Sequence, residues 1–246
     1  MKILILAAGY GTRLASIARD TPKPLLAIND RPLIDYILDR VKDSNGLNEV
    51  LVVTNNKFVS HFQRWVKTHA GFPAKITIVN DLTATPEERL GSVGDINFVL
   101  KNTKIKDDLL VVGGDNLFDY NIDEYVAFAQ KNIPHVTIGL YDIHNIKEAG
   151  LFGVVELDKK GKVVSFEEKP EHPKSSLIAM CFYYMPRQTL GFVGAYLKSS
   201  RKSDKAGDYI KWLAQQKGVC GFTFKGKWYD IGSVESYRDA QSAFKS

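Results

Sequence analysis

Residues 1–26 read MKILILAAGYGTRLASIARDTPKPLL, and this stretch does most to decide the fold. The apolar run Lys2 to Leu6 predicts a buried strand. It leads into Ala7 to Leu14, which contains two glycines and an arginine, and then into Thr21 to Leu26, where Lys23 stands between two prolines. Small residues, backbone amides and two cations at the carboxyl end of a buried strand favour a phosphate-binding loop. We therefore expect nucleotide chemistry.

Three kinds of phosphate loop fit part of this pattern, and the residues after the glycines separate them. A Walker A loop needs Gly-Lys-Ser/Thr, whereas residues 11–13 are Gly-Thr-Arg. A dinucleotide-binding loop needs a third glycine and a long helix, which Pro22 and Pro24 exclude because proline lacks an amide donor and disfavours helix before it. A looser loop that wraps a triphosphate, with Arg13 and Lys23 as its charges, fits both the glycines and the prolines.

Strand and helix patterns alternate along the first half of the chain. The predicted strands are Lys2 to Leu6, Glu49 to Thr54, Lys75 to Val79 and Leu109 to Val112. The predicted helices are Pro32 to Lys42, Ser60 to His69, Val93 to Lys101 and Ile122 to Lys131. This alternation predicts an α/β fold with a largely parallel sheet, covered by helices on both faces, and with ligands at the carboxyl ends of its strands.

The pattern changes after a strand predicted at Val136 to Tyr141. Residues 153–170, GVVELDKKGKVVSFEEKP, predict an antiparallel hairpin, and residues 176–185, SLIAMCFYYM, predict another strand. The remaining predicted elements are helices at Arg187 to Leu197, Tyr209 to Gln216 and Val234 to Phe244, and a strand at Gly221 to Phe224.

Composition limits the kind of protein. The chain has 246 residues, a net charge of +5 and 44% hydrophobic residues, which suits one domain with a sizeable core. Its lysines are spread along the chain rather than striped with aromatic residues, so we expect no nucleic-acid partner. Cys181 and Cys220 stand far apart in apolar contexts and the histidines form no metal-binding motif, so we expect two buried thiols and no zinc site.

The same sequence also limits the cellular location. No apolar run approaches the ~20 residues of a membrane span, and MKILILAAG is too short for a signal peptide. We therefore expect a cytoplasmic protein with no membrane partner. The sequence leaves a homo-oligomer open.

Four motifs occur in order along almost the whole chain. They are Leu6 to Leu14 with Lys23-Pro24-Leu25, then Gly114-Asp115-Asn116, Glu168-Lys169-Pro170 and Trp228 to Ser233. With these motifs the chain resembles the sugar-1-phosphate nucleotidyltransferases, the family of the glucose-1-phosphate thymidylyl- and uridylyltransferases and of mannose-1-phosphate guanylyltransferase. The resemblance implies a three-layer, Rossmann-like nucleotidyltransferase fold with a mixed central sheet and a small antiparallel sugar-binding lobe.

The resemblance also implies how the chain is organised. Residues 1–246 would form a single nucleotidyltransferase domain, in which the NTP-binding part covers about residues 1–135 and the sugar-phosphate-binding part about residues 136–246. We expect a short form of the family, without the repeated β-helix that larger members carry after this domain.

The implied activity is transfer of a nucleoside monophosphate from an NTP to a sugar-1-phosphate, with release of pyrophosphate and with Mg²⁺ as the cofactor. Asp115 ends the apolar run LLVVGG, which presents it at the rim of the sheet as a hard oxygen ligand, and the resemblance makes Asp230 the second metal ligand. An aspartate after a strand is also common as a turn or cap residue. The implied catalytic residues are Arg13, Lys23, Asp115, Lys169 and Asp230.

The implied binding residues divide between the two substrates. Gly9 and Gly11 let the backbone approach the phosphates, and Leu90-Gly91-Ser92 corresponds to a base-contacting loop, with an ordinary helix cap by Ser92 as the alternative. The nucleotide-binding residues are Ala7, Ala8, Gly9, Gly11, Thr12, Arg13, Lys23, Gly91, Ser92 and Asp115. The sugar-phosphate-binding residues are Gly153, Glu168 and Lys169.

As substrates we expect dTTP or UTP with glucose-1-phosphate. The stretch Leu90-Gly91-Ser92 also resembles a Leu-Gly-Thr of guanylyltransferases, so GTP with mannose-1-phosphate stays open. A phosphocholine-type cytidylyltransferase shares the opening loop but not the Glu-Lys-Pro motif. A non-catalytic sugar-nucleotide sensor on the same fold would not need the charged residues that this chain carries.

Overall fold

The computed structural model describes residues 1–18, 20–199 and 205–244 of the chain. Within these ranges, the side chains of Arg13 and Ala15 also lie outside the described part. The chain divides into two units. Unit 1 comprises Met1–Gly91, Val112–Ile122 and Gly226–Ser246, and unit 2 comprises Ser92–Val111 and Asp123–Lys225.

Helices and strands alternate as in a mixed α/β protein. The strands are β1 (Lys2–Leu6), β2 (Ala27–Ile28), β3 (Arg31–Pro32), β4 (Glu49–Thr54), β5 (Lys75–Asn80), β6 (Leu109–Gly113), β7 (Asn116–Phe118), β8 (Val136–Asp142), β9 (Gly153–Leu157), β10 (Val163–Glu168), β11 (Leu177–Met185), β12 (Val219–Thr223) and β13 (Trp228–Asp230). The helices are α1 (Ala15–Ala18), α2 (Leu33–Val41), α3 (Val59–Lys67), α4 (Gly91–Thr103), α5 (Asp123–Lys131), α6 (Ile146–Ala149), α7 (Gly191–Ser199), α8 (Ala206–Gln216) and α9 (Val234–Ala243). Short 3₁₀ turns lie at Thr12–Leu14, Lys23–Leu25 and Arg187–Thr189.

Unit 1 is built on strands in the order β1, β4, β5. The β1–β4 and β4–β5 pairs are parallel, with Leu4 opposite Leu51 and Val52 opposite Ile78. The β1 and β4 residues Leu4, Leu51 and Val52 are buried, as expected for parallel strands that are covered on both faces. The carboxyl ends of β1, β4 and β5 therefore lie at one edge of this sheet, where the loop after β1 begins.

Unit 2 is dominated by antiparallel pairing. Strand β9 pairs with β10 and with β11, β11 pairs with β8, and only the β8–β12 pair among those described in this unit is parallel. Tyr125 of α5 lies in its core, where its hydroxyl donates a hydrogen bond of 2.8 Å to the Thr137 carbonyl and accepts one of 2.8 Å from the Tyr184 amide. A buried phenol whose hydrogen bonds are satisfied in this way fixes the packing of α5 on the sheet.

Most predicted elements are present, with a few differences. Strands β1 and β4 have the predicted bounds, and α4 begins at Gly91, two residues before the predicted start. The helix predicted at Arg187 to Leu197 is a 3₁₀ turn followed by α7. Cys220 is buried as predicted, whereas the expectation of a buried thiol is wrong for Cys181, which is partly exposed. In the described parts of the chain, none of the helices combines the length and the apolar character needed to cross a membrane.

Candidate active site

The loop after β1 presents an open backbone surface. Ala7 and Ala8 are buried at its start, where the Ala7 amide donates to the Val53 carbonyl over 2.9 Å. At Gly9 and Gly11, which follow, an added Cβ would meet no atom within 4 Å. Gly11 has φ of +65°, a conformation that an L-amino acid adopts only at a cost. The two glycines thus leave the loop backbone open, and Gly11 provides the left-handed turn within it.

A short antiparallel strand pair brings two distant aspartates together within unit 1. Strand β13 pairs with β7 so that Asp230 lies opposite Asn116, and Asp115 directly precedes β7. The amide of Ile231 donates a hydrogen bond of 3.0 Å to the Asp115 carbonyl, which continues the pairing past the ends of both strands. Backbone hydrogen bonds therefore hold the two carboxylates side by side.

Lys23 connects these two aspartates. Its Nζ donates a hydrogen bond of 2.6 Å to Asp115 Oδ2 and lies 3.9 Å from Asp230 Oδ1. Lys23 begins a 3₁₀ turn after Pro22, whose extended φ and ψ lead the chain into the turn. Two carboxylates and one ammonium leave the cluster with a formal charge of −1, so it retains attraction for a cation.

Asn116 and Trp228 form a short chain of hydrogen bonds that supports the Asp115 carboxylate. Asn116 is 2% exposed, and its Nδ2 donates to the Gly113 carbonyl over 3.0 Å and to Asp115 Oδ1 over 3.3 Å. Its Oδ1 accepts a hydrogen bond of 2.7 Å from Trp228 Nε1. Sequence reasoning included Asn116 and Trp228 in motifs but gave them no role, because only the β7–β13 pairing shows that they meet.

The segment after β5 is fixed against the glycine loop. The hydroxyls of Tyr10 and Thr83 share a hydrogen bond of 3.1 Å, and the Thr83 carbonyl accepts one of 2.9 Å from the Asn56 amide. A cavity of about 270 Å³ in unit 1 is lined by residues of the glycine loop, of α1 and the turn after it, of the loop before α3 and of the segment after β5, namely Tyr10, Gly11, Thr12, Ala18, Thr21, Lys57, Ala84, Thr85 and Pro86. Sequence reasoning missed Lys57 in this cavity, because a lysine before a helix is ordinarily a solvated charge.

The predicted base-contacting loop enters a helix. Gly91 has φ of +72° and is the first residue of α4, and Ser92 is the second. The alternative of Ser92 as the N-cap is wrong, because Ser92 lies inside the helix. Gly91 closes the first segment of unit 1 and Ser92 opens unit 2.

In unit 2, the predicted sugar-phosphate residues lie at the end of the β9–β10 hairpin. Glu168 is paired with Gly153 across the two strands. Lys169 follows β10 with φ of +47°, and its amide donates a hydrogen bond of 3.0 Å to the Phe152 carbonyl. A Cβ at Gly153 would lie 2.6 Å from Phe166 Cζ, so this position requires glycine for packing as well. The exposed lysine and the partly buried glutamate therefore occupy fixed backbone positions.

The ionisation of Glu168 is shifted by its surroundings. Burial raises the pKa of the Glu168 carboxyl, the Lys169 ammonium opposes that rise, and the nearby Asp208 adds to it. The Lys205 ammonium also acts to lower this pKa. The net direction is upward, because the loss of solvent around the carboxylate outweighs the two cations.

Comparison with known proteins places the chain among enzymes that act on nucleoside triphosphates. A family model described as nucleotidyl transferase matches residues 2–246. The chain belongs to the nucleotidyl transferase family. The resemblance inferred from the four sequence motifs is thereby confirmed at the level of the family.

Solved structures show the same fold. One is a candidate glucose-1-phosphate thymidylyltransferase from Bacillus anthracis in complex with a sucrose, which is 23% identical over 99% of this chain and 94% of that chain, with a TM-score of 0.84. Another is a UDP-glucose pyrophosphorylase complexed with UDP-glucose, which is 23% identical over 99% of this chain and 97% of that chain, with a TM-score of 0.81. The predicted Rossmann-like nucleotidyltransferase fold is confirmed.

Within this nucleotidyl transferase, the structure brings some predicted residues together. Lys23, Asp115 and Asp230 meet in unit 1, and Gly153, Glu168 and Lys169 are neighbours in unit 2. The side chain of Arg13 lies outside the described residues. Over the described ranges, no group of three or more histidine, cysteine, aspartate or glutamate side chains is gathered as metal ligands.

Proposed function

We propose that this protein transfers a nucleoside monophosphate from an NTP to a sugar-1-phosphate, giving an NDP-sugar and pyrophosphate. The observation that carries the proposal is the contact of Lys23 with Asp115 and Asp230 in a chain of the nucleotidyl transferase family. These residues come from three separate parts of the sequence. A purely structural role would not require a lysine and two carboxylates at the carboxyl edge of a parallel sheet, where α/β proteins bind ligands.

The chemistry asks mainly for charge neutralisation and alignment. A phosphate oxygen of the sugar-1-phosphate attacks the α-phosphorus, the bond from that phosphorus to the bridging oxygen breaks, and pyrophosphate leaves with the electron pair. The nucleophile is already an anion, so no general base is needed. Lys23 would balance charge on the reacting phosphates, and we assign Arg13 the same role.

The carboxylate pair suits a Mg²⁺ ion. Asp115 and Asp230 offer oxygen donors that are about one-third exposed, at 36% and 39%, and they already share the Lys23 ammonium as a positive partner. Mg²⁺ typically takes one or two carboxylates together with substrate phosphates. When bound, the ion would neutralise charge on the α-phosphate. Asp115 and Asp230 would hold it, and Asn116 would keep Asp115 oriented.

We assign the remaining residues of the nucleotide site to unit 1 and to the first turn of α4. Gly9, Gly11 and Thr12 would present backbone to the phosphates, as the open surface at both glycines allows. Ala7 and Ala8, with Gly91 and Ser92, would contact the base. A site that reads the edge of a base through fixed donors and acceptors rejects a mismatched base, because buried polar groups are then left unpaired.

We assign the sugar-1-phosphate to residues of unit 2. Lys169 is exposed and held in a left-handed conformation at the end of β10, so its ammonium is available to the phosphate. Glu168 would accept hydrogen bonds from sugar hydroxyls, and Gly153 lies opposite it on β9. Hydrogen bonds from sugar hydroxyls to a carboxylate are charge-assisted, so they can position the sugar strongly.

For the substrates, we propose dTTP or UTP with glucose-1-phosphate. Thymine and uracil share the same hydrogen-bonding edge and differ by one methyl group, which is worth about 1 to 3 kcal/mol in an apolar pocket. Both should therefore be accepted within roughly two orders of magnitude of each other in kcat/KM. The names of the two similar structures support this choice, since they specify thymidylyl transfer and UDP-glucose.

The decisive experiment is a pyrophosphate-release assay with Mg²⁺ over a matrix of NTPs against sugar-1-phosphates and phosphocholine. We expect release with dTTP and UTP in the presence of glucose-1-phosphate, and none with ATP. Preference for GTP with mannose-1-phosphate would overturn the pyrimidine assignment and leave the reaction class standing. Release only with CTP and phosphocholine, or with no pair at all, would reject the proposed reaction.

A further inference from the structure

Gly207 lies where a side chain would collide with Glu168. It is the second residue of α8, and a Cβ built on it would overlap Glu168 Oε2 and lie 2.7 Å from Glu168 Cδ. The same Cβ would lie 3.4 Å from Phe166 Cε1. The carboxyl group of Glu168 thus rests against the backbone of the first turn of α8, in the space that any other residue at position 207 would fill.

A second glycine lies on the other side of this carboxyl group. A Cβ on Gly153 would be 3.3 Å from the same Oε2 atom and 3.2 Å from Phe166 Cε1. The β9–β10 pairing sets Gly153 opposite Glu168, so this contact follows from the register of the hairpin. The Glu168 side chain therefore lies in a slot between two glycines, with the Phe166 ring against both of them.

We infer that Gly207 is a positioning residue, whose missing side chain leaves the slot that holds the Glu168 carboxylate in place for the hydroxyls of a sugar acceptor. The inference deepens the proposed function and rests on it for the identity of the acceptor. Sequence reasoning gave no signal for Gly207, because the slot forms only when α8 packs beside the end of β10. An alanine at this position would move the carboxylate away from its place in the slot.

The geometry indicates that the fold would survive such a change. The atoms that a Cβ on Gly207 would meet first belong to the far end of the Glu168 side chain, which can rotate, and not to the backbone. Alanine also has a higher helix propensity than glycine in an ordinary helical turn. The strain should therefore be relieved by displacement of the carboxylate, at the expense of sugar binding rather than of stability.

The first test compares Gly207→Ala with Gly191→Ala. Gly191 begins α7 and has no atom within 4 Å of an added Cβ, so it is a matched control. We expect Gly207→Ala to raise the KM for the sugar-1-phosphate about tenfold or more, as for loss of a hydrogen bond to a charged group, with the KM for the NTP unchanged. Equal changes in both KM values, or a sugar KM like that of Gly191→Ala, would overturn the inference.

The second test asks whether a shorter carboxylate restores the fit. Glu168→Asp withdraws the carboxyl group by one methylene, so the double variant Gly207→Ala with Glu168→Asp should bind the sugar-1-phosphate better than Gly207→Ala alone. A merely structural role of Gly207 predicts no such rescue. If the double variant binds the sugar-1-phosphate no better than Gly207→Ala alone, Gly207 does not serve to accommodate the Glu168 carboxylate.

A third measurement does not depend on activity. The Glu168 carboxyl can be followed by carbon-detected NMR titration, with Glu168→Gln used to assign its signal. In Gly207→Ala the Glu168 carboxyl should be displaced from the slot into solvent. Its pKa should then return towards the ordinary value, because burial is the main cause of the rise. An unchanged titration would overturn the positioning role. If the wild-type protein released no pyrophosphate with any pair, the proposed reaction would fail while this titration still decided the role of Gly207.

Discussion

The charged groups of unit 1 touch one another, whereas those of unit 2 are arranged by the backbone around them. Lys23 and Asp115 form an ion pair of 2.6 Å, although 92 residues separate them in the chain. Glu168 and Lys169 are adjacent in sequence, and their positions are set by a hairpin pairing, a left-handed residue and two glycines. The candidate residues of unit 1 are held together by ion pairs, and those of unit 2 are held in place by the backbone.

The two units should therefore tolerate different kinds of substitution. In unit 1, removing the charge of Lys23, Asp115 or Asp230 changes the electrostatic energy of the other two, because charges within a few ångströms of one another interact strongly. In unit 2, a small change of shape at a glycine should matter as much as a change of charge.

The largest effect should come from the carboxylates of unit 1. We expect Asp115→Asn and Asp230→Asn each to lower turnover by roughly two orders of magnitude or more, because the amide keeps the shape but removes the charge that would hold Mg²⁺. Pyrophosphate release at saturating Mg²⁺ measures this, and circular dichroism checks the fold. Asp43→Asn, on an exposed residue of the same unit, is the control. Near-normal turnover in either variant would remove that aspartate from the set of metal ligands.

A smaller effect should follow from the exposed lysine of unit 2. Lys169→Ala removes a charge-assisted contact to phosphate worth about 1.5 to 3 kcal/mol, so the affinity for the sugar-1-phosphate should fall roughly tenfold or more. The affinity for the NTP should change little. Calorimetric titration with each substrate provides the measurement, and Lys159→Ala in the hairpin turn is the control. A larger loss for the NTP than for the sugar phosphate would contradict the assignment of unit 2.

The smallest effect concerns the pH dependence of stability, which should have opposite signs in the two units. In unit 1, burial acts to raise the pKa of the Glu49 carboxyl, but hydrogen bonds of 2.6 Å from Lys2 and from Thr77 lower it on balance. Its contribution to stability is therefore present above its unfolded pKa and is lost as pH falls through the folded pKa. The pKa of Glu168 is raised, so its contribution is lost as pH rises from its unfolded to its folded pKa.

Urea unfolding over about pH 3 to pH 7, which spans the ordinary carboxyl range, tests these signs. Relative to wild type, Glu49→Gln should remove part of the gain in unfolding free energy with rising pH, and Glu168→Gln should remove part of the loss. Two variants with slopes of the same sign would show that the carboxylates of the two units are not held in opposite environments.

Continuous apolar runs made much of the fold predictable. Strands β1 and β4 are buried along most of their length, so their sequences are marked by hydrophobicity alone and their bounds were predicted residue for residue. Strands β7 and β13 have three residues each, which is too short for a periodic pattern. Their pairing joins segments more than 100 residues apart, and no local rule reports it.

For the candidate site, the residues could be predicted from the sequence, but their contacts could not. Lys23, Asp115 and Asp230 were named from motifs, but their contact depends on the β7–β13 pair. The roles of Asn116 and Gly207 depend on which atoms lie next to them, and the types of these residues do not carry that information. A buried amide and a helical glycine are common, and only their neighbours make them significant here.

Unit 1 is discontinuous in sequence, so its last segment is synthesised after the whole of unit 2. The chain completes all of unit 2 before the segment Gly226–Ser246 is translated, and Asp230 lies in that last segment of unit 1. A nascent chain that has emerged as far as residue 225 contains Lys23 and Asp115 but lacks their third partner. The carboxylate pair can therefore assemble only after residue 230 has left the ribosome, and its assembly joins residues far apart in sequence, a kind of pairing that is intrinsically slow.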